Sequence, residues 1–440
     1  MEYKVSQYNH FFEVDGNFYV YNILTTSLLE LEKDVYDNLK SESLDSISAD
    51  FKTDLSIEGI IVDSTANEKM HFEYYYDSRR YGDAAKRFKL TLIPTYACNL
   101  ACPYCFEGKD KHPRRMSISY VDAVLRFMKN QIEECEAYTP IQEIMISFFG
   151  GEPLICKEAL TYFSNEASLY AKSKNIDIIY DITTNLTLLD DDVIALIGEH
   201  GMEVQVTIDG TPEQHDSRRI YKNGGGTYEI IIANLQKLVN AGLKENITVR
   251  INIDENNVCD AEKMLSALKP YAGNIYFGYL MTYKGKNEDY QNECFKNECY
   301  ASTSIKKLYD VYAKLGFDVP QEFGKKTPCQ MNSQNTYVVD CNLDLYKCEL
   351  VIGHKECSVG FLDEQGVPHF NGNYYKQMTY SPLKIEKCGN CKMLPMCGGG
   401  CPAREYVNIG RNDGDMHVGE CMTSEIELTN YLSDYIRRNT

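Results

Sequence analysis

The sequence predicts an α/β protein with a parallel sheet at its centre, a small α+β domain before it and a cysteine-rich domain after it. Three observations carry that expectation. Residues 89–281 alternate apolar strands with amphipathic helices, the preceding 85 or so residues hold a hairpin pattern, and from Cys329 onward the chain is rich in Cys and Gly with little periodicity. Strand–helix alternation favours parallel pairing, because each crossover helix returns the chain to the same end of the sheet.

The expected strands of the central unit are 89–95, 143–149, 177–184, 203–209, 247–254 and 274–281, all rich in Ile and Val. Between them, apolar residues at three- and four-residue spacing predict helices over 117–134, 157–174, 190–199, 228–241 and 259–268. Six such strands fit an open doubly wound sheet or a partial barrel, and in both the chemistry sits at the C-terminal strand ends. Cys98 follows the first strand, Gly150, Gly151 and Glu152 the second, Asn185 the third, and Asp209 and Gly210 the fourth.

In the N-terminal segment, FFEVDGNFYVYNI reads as a hairpin turning at Asp15 and Gly16, LLELE adds a third strand, and DVYDNLK begins a helix. A second helix is expected over 47–55, and the tyrosine-rich HFEYYYDSRRYGDAA reads as a linker or docking edge. Residues 282–328 are polar with one helix at 304–315, and a last helix spans 424–437. The expected domains are therefore 1–85, 86–285, a bridging 286–328, and 329–440; a length of 440 residues itself gives a prior of roughly three.

A net charge of −19 argues against nucleic acid and anionic membrane surfaces as partners, since both need a concentrated basic face. MEYKVSQYNHFFEVDG lacks a basic then apolar signal sequence, and no apolar run approaches the roughly 20 residues that span a bilayer. A cytoplasmic protein is expected. Seventeen cysteines in such a chain point to metal binding rather than a disulfide framework.

Ten of them fall into two groups. Cys98, Cys102 and Cys105 have C-x3-C-x2-C spacing, and Cys388, Cys391, Cys397 and Cys401 have C-x2-C-x5-C-x3-C, with Cys329, Cys348 and Cys421 as companions. Three thiolates on one loop leave a metal centre one ligand short, so a 4Fe–4S cluster held there has an open iron for a small molecule. A zinc site wants a fourth ligand, and none lies nearby in sequence beyond His112. A non-catalytic zinc-ribbon protein is the alternative of a different class; it uses four of the late cysteines and leaves the rest idle.

The early motif, with Tyr104 before its third cysteine, resembles the radical S-adenosylmethionine (SAM) superfamily over at least residues 89–281. That resemblance implies a partial (β/α)6 TIM-like barrel, a SAM-binding 4Fe–4S cluster on Cys98, Cys102 and Cys105, and reductive cleavage of SAM to a 5′-deoxyadenosyl radical. Gly150, Gly151 and Glu152 resemble the motif that holds the SAM amino group. Arg219, in HDSRR, would pair with the SAM carboxylate, and Asn185, Thr207 and Asp209 would contact the ribose.

The late cysteines resemble the SPASM domain, which implies two auxiliary 4Fe–4S clusters and three in all. Cys388, Cys391, Cys397 and Cys421 would hold the second auxiliary cluster; Cys329, Cys348 and Cys401 would hold the first, with Cys341 or an open iron completing it. Leu343 departs from the pattern, since relatives usually have glycine there. Glu349, directly after Cys348, is a candidate general base or an exposed solvating residue.

The group resembled implies a maturase that modifies a ribosomally made precursor peptide bearing a leader, by a thioether from Cys sulfur to carbon, with flavodoxin or ferredoxin as electron donor. Its alternatives are an anaerobic sulfatase maturase making formylglycine, and carbon–carbon cross-linking or epimerisation of a peptide. The N-terminal segment loosely resembles a PqqD-like domain, which pairs a leader as an added strand.

Overall fold

The computed structural model describes residues 2–105, 107, 113–254, 256–279, 308–317, 328–403 and 425–439. Two compact units divide the chain. One joins Met1–Ala84, Pro320–Ser333 and Thr379–Thr440; the other joins Ala85–Val319 and Gln334–Met378. These units cut across the sequence boundaries at 285 and 329, because the cysteine-rich segment contributes to both.

In the first unit, β1 (Tyr3–Val5) pairs antiparallel with β5 (Ile61–Asp63), while β2 (Asn9–Val14), β3 (Asn17–Asn22) and β4 (Leu28–Leu31) form the expected three-stranded antiparallel sheet. Helices α1 (Lys33–Lys40) and α2 (Ala49–Ile57) follow the predicted positions within two residues. The tyrosine-rich stretch is not a linker. It is α3 (Glu68–Tyr81), started by the Asn67 side chain, which accepts from Met70 N. Glu68, Phe72, Tyr76 and Arg80 recur every four residues and are buried, so one helical face is covered despite the polar composition.

That face belongs to a core shared across the sequence. Tyr8, Phe12, Tyr21, Phe72 and Tyr76 pack with Leu383, Met393, Leu394, Leu428 and Leu432. Burying each such side chain is worth about 1.5–3 kcal/mol before entropy is counted. The C-terminal segment therefore has an apolar core, supplied largely by the N-terminus, and does not depend on metal alone for packing. Arg437 of the C-terminal helix (Glu425–Asn439) reaches both carboxylate oxygens of Asp15 at 2.9 Å.

The second unit holds a ten-stranded sheet. Strands β6 (Arg87–Ile93), β7 (Glu143–Phe148), β8 (Asp177–Thr184), β9 (Glu203–Thr207), β10 (Ile247–Ile253) and β11 (Asn274–Tyr279) run parallel in sequence order. The helices between them are α4 (Ile118–Cys135), α5 (Lys157–Lys174), α6 (Asp191–His200), α7 (Pro212–Arg218), α8 (Tyr228–Asn240) and α9 (Ala261–Leu268). The expected strand 89–95 is displaced by two residues and stops before Pro94, which cannot donate to the ladder. Of the expected helix at 304–315, residues 308–314 are helical and 304–307 lie outside the described residues.

Past Cys329 the sheet continues. β12 (Thr336–Asp340) lies parallel to β6, and β13 (Asp344–Tyr346), β14 (Gly360–Leu362) and β15 (Pro368–Phe370) add antiparallel edges. All five residues of β12 are buried, so no period-two alternation marked it in the sequence.

Phe88, Leu90, Leu92, Ile144, Ile146, Val204, Val249 and Ile251 join the helices in one core. Alternation turns Lys89, Thr91, Ser147, Asp181, Gln205, Arg250, Asn252 and Tyr276 to the opposite face. A parallel sheet covered by helices on both sides would be apolar on both. This one is polar on the second face, as the wall of a substrate cavity would be.

Candidate active site

The loop after β6 carries Cys98, which is buried, and Cys102 and Cys105, which are partly exposed. It is tied down at several points. Thr95 Oγ1 donates to Arg114 O (2.7 Å), Ala101 N donates to Ile220 O (2.8 Å), and Leu100 N lies 3.4 Å from Cys98 Sγ. Burial pushes the Cys102 thiol up to about 11; Arg219 pulls it down, and Cys105 and Cys98 raise it again, which places all three sulfurs in one electrostatic neighbourhood. Among the described residues no three Cys, His, Asp or Glu side chains are closed into a ready-made metal site.

Gly150 and Gly151 serve this loop directly. A Cβ on Gly150 would stand 2.6 Å from Thr95 O, and one on Gly151 would stand 2.3 Å from Ala97 O. The bonds Gly151 N to Thr95 O (3.1 Å) and Glu152 N to Ala97 O (2.9 Å) need that approach. The glycines thus let two loops touch. Glu152 is fully buried, and its carboxylate accepts from Thr184 Oγ1 (2.6 Å), Asn185 N (2.7 Å) and Leu154 N (3.0 Å). Burial raises its carboxyl pKa, against those three bonds. Asn185 in turn donates Nδ2 to Asn99 Oδ1 (2.9 Å) and lies 3.8 Å from Cys98 Sγ.

Of the paired arginines in HDSRR, Arg218 is buried against Asp254 at 2.8 Å, and Arg219 turns the other way. Arg219 Nη1 donates to Tyr104 Oη (2.8 Å), and Tyr104 Oη donates to Asp209 Oδ2. Burial holds the Tyr104 phenol far above its usual range; Arg219 opposes this and Asp209 adds to it, so Tyr104 stays a neutral donor. Arg219 Nε is buried and has no acceptor among the described residues. Asp209 also accepts from Asn252 Nδ2 (3.0 Å), and its backbone N donates to His215 Nδ1 (3.3 Å). Thr207 is buried at the end of β9. Asn99 in the cysteine loop, Asn252 in β10 and His215 in α7 were not singled out in the sequence, since an isolated polar residue reads as ordinary capping or surface.

Residues 92–268 match the family model described as "Radical SAM superfamily". They form a radical SAM domain. The chain thus carries a radical SAM domain and is an enzyme, and the non-catalytic zinc-ribbon alternative falls. It is 25% identical over 342 residues to the cysteine-type anaerobic sulfatase-maturating enzyme of Clostridium novyi, covering 72% of this chain and 88% of that one. It is 23% identical over 334 residues to the mycofactocin maturase MftC of Mycobacterium tuberculosis, covering 72% and 78%. In fold it is similar to anSMEcpe solved with AdoMet and the Cp18Cys peptide (TM-score 0.61, 19% identity, 80% of this chain and 98% of that one). It is also similar in fold to Streptococcus suis SuiB bound to S-adenosylmethionine (TM-score 0.54, 12% identity, 95% and 100%).

A radical SAM domain implies a 4Fe–4S cluster and SAM, and the residues present fit both. Three thiols share one loop at a sheet's C-terminal end, and beside them a guanidinium with a buried, unaccepted N–H suits a carboxylate.

The later cysteines fall in both units of the chain. Cys388 is buried on the short helix Glu386–Gly389, Cys397 ends the helix Leu394–Cys397, and Gly398, Gly399 and Gly400 follow, all at positive φ (65°, 89° and 82°). Three consecutive left-handed residues require glycine, which accounts for the GGG between Cys397 and Cys401. Cys391, Cys401 and Cys329 are partly exposed, Cys348 is buried, and Cys421 lies outside the described residues. Cys341 is wholly buried in the sheet core, its thiol pushed up to about 12 by burial and by Asp340. Leu343 adopts φ 66°, the conformation that glycine takes freely. Its buried side chain offsets that strain. Glu349 is no freely solvated residue: its Oε1 accepts from Thr91 Oγ1 (2.7 Å) and lies 4.0 Å from Lys89 Nζ.

Among the described residues no helix is long and apolar enough to cross a membrane.

Proposed function

We propose that this enzyme matures a ribosomally made precursor peptide by linking a cysteine sulfur to a carbon atom. The observation that carries the reading is the polar face of the parallel sheet in the same unit as the cysteine loop, which suits a polar main chain as substrate. Two further features support it. Some 85 residues precede the radical domain, and the late cysteines provide sulfur ligands beyond those of the first cluster. The likeness to MftC, a mycofactocin maturase, supports a maturase.

Cys98, Cys102 and Cys105 would hold the SAM-binding cluster. Cys388, Cys391, Cys397 and Cys421 would hold one auxiliary cluster, and Cys329, Cys348 and Cys401 another. The burial of Cys341 supports leaving the last position of that cluster to a substrate group. When bound, SAM and the clusters supply reductive cleavage of SAM to methionine and a 5′-deoxyadenosyl radical, and an acceptor for the electron released on sulfur–carbon bond formation. The chain's residues do the positioning. Arg219 pairs with the SAM carboxylate, Tyr104 and Asp209 fix Arg219, and Glu152 locks Asn185 beside Cys98. Glu349, aligned by Thr91 and close to Lys89, takes the substrate thiol proton. A small electron-transfer protein such as flavodoxin or ferredoxin would deliver the reducing electron.

A sulfatase-type activity is the second reading, favoured by the likeness to the Clostridium novyi enzyme. The two diverge in product. The anaerobically reconstituted protein, given SAM, reductant and Cys-containing peptides, should yield a peptide that has lost two hydrogens and its free thiol. A hydrazide-reactive aldehyde in place of the thiol would establish the second reading instead.

A further inference from the structure

One cation on the polar face has no part in the chemistry above. Arg250 lies within β10, in register with Thr207 on β9 and Tyr276 on β11. Its Nε donates to Asn252 Oδ1 (2.9 Å), and its guanidinium lies over the Tyr276 ring, 5.9 Å from the centroid. Tyr276 is fixed in turn, donating Oη to Gln205 Oε1 (2.6 Å). Two positions on from Tyr276, a Cβ on Gly278 would stand 2.6 Å from Arg250 Nε and 2.7 Å from Nη2. Glycine there leaves the space the guanidinium fills.

The group is stacked, oriented and partly exposed, yet among the described residues it has no carboxylate partner and its two Nη groups have no acceptor. A fixed guanidinium presents a planar fork that binds a carboxylate through two parallel N–H···O bonds. Building one into a sheet face without its anion leaves that position for a ligand.

We propose that Arg250 is a substrate-positioning residue that receives a carboxylate of the polypeptide. That carboxylate is either an acidic side chain or the C-terminus. The assignment rests on the substrate being a polypeptide. Held there, the carboxylate would set which residue of the peptide reaches the strand ends where Thr207 and Asp209 sit.

The test is equilibrium binding to SAM-loaded holoprotein, read by fluorescence anisotropy. It uses three dye-labelled Cys-containing hexapeptides: one with Glu and an amidated end, one neutral with a free C-terminus, and one neutral and amidated. One of the first two should bind about tenfold tighter than the third, as a charge-assisted fork allows, and which one it is identifies the source of the carboxylate. The preference should vanish in Arg250→Gln, shrink in Arg250→Lys, and weaken in Gly278→Ala, whose added methyl displaces the fork. SAM affinity should not change. Equal binding of all three peptides, or a preference that survives Arg250→Gln, would overturn the proposal. So would a loss of SAM affinity in that variant, which would place Arg250 at the cofactor instead. Because binding needs no turnover, a failure here is separable from a failure of the maturase reading.

Discussion

Glu152 has no room for its own amide. Its Oε1 accepts from Thr184 Oγ1 and Leu154 N, and Oε2 accepts from Asn185 N. In Glu152→Gln the NH2 must face one of two backbone donors, so a buried bond becomes a clash of donors. Stability should fall by about 1–3 kcal/mol in denaturant unfolding without SAM. If Glu152 served the SAM amino group alone, the variant would differ from the parent only when SAM is present. Gly151→Ala should be costlier still, since its methyl meets backbone that cannot swing aside. His215 gives the site a pH dependence. Because Asp209 N donates to Nδ1, Nε2 carries the proton and donates to Thr227 Oγ1 (3.0 Å), so the ring is neutral. Burial lowers its pKa from 6.5 to about 3, with Arg219 and Arg218 adding to the shift. The unfolded chain then binds more protons between those values. The contribution is fully present above pH 6.5 and is lost as pH falls towards 3. Unfolding midpoints followed from pH 7 to 4 should drop less steeply in His215→Gln than in the parent. At this scale the thiolate motif was legible because spacing alone marks a ligand set. The wiring of Glu152, His215 and Asn252 was not, because it depends on which strand ends meet.

At the scale of elements, every strand of the βα series and every helix but the seven-residue α7 was legible, most within two residues, since hydrophobic period and length agree there. The misreadings share a cause. Helix α3 hides its buried face among tyrosines and charges, and β12 is buried on both sides, so neither shows the expected contrast between faces. The consequence is testable. Because Tyr8, Phe12 and Tyr21 pack on Leu383, Met393 and Leu428, removing residues 1–84 strips one side of a shared core. The truncated chain should aggregate as that apolar surface is exposed. A soluble, cooperatively unfolding truncation would show that the two segments do not depend on each other. Cys388→Ala should lose auxiliary iron and product while SAM cleavage persists, because the cysteine loop is built on a different unit. Iron analysis beside 5′-deoxyadenosine yield separates the two.

For the whole molecule, we propose that a three-thiolate loop at the end of β6 makes this a SAM-cleaving enzyme. The parallel sheet places the loop beside the strand-end residues Glu152, Asn185 and Asp209 and beside Arg219, which follows α7. The most direct measurement is formation of 5′-deoxyadenosine from SAM by the anaerobically reconstituted, dithionite-reduced protein, compared with the Cys98→Ala, Cys102→Ala, Cys105→Ala triple variant. The parent should release 5′-deoxyadenosine and methionine in equal amounts, and the triple variant should release none while retaining the auxiliary iron. Equal production by both proteins, or by neither with the parent's iron fully loaded, would contradict the claim.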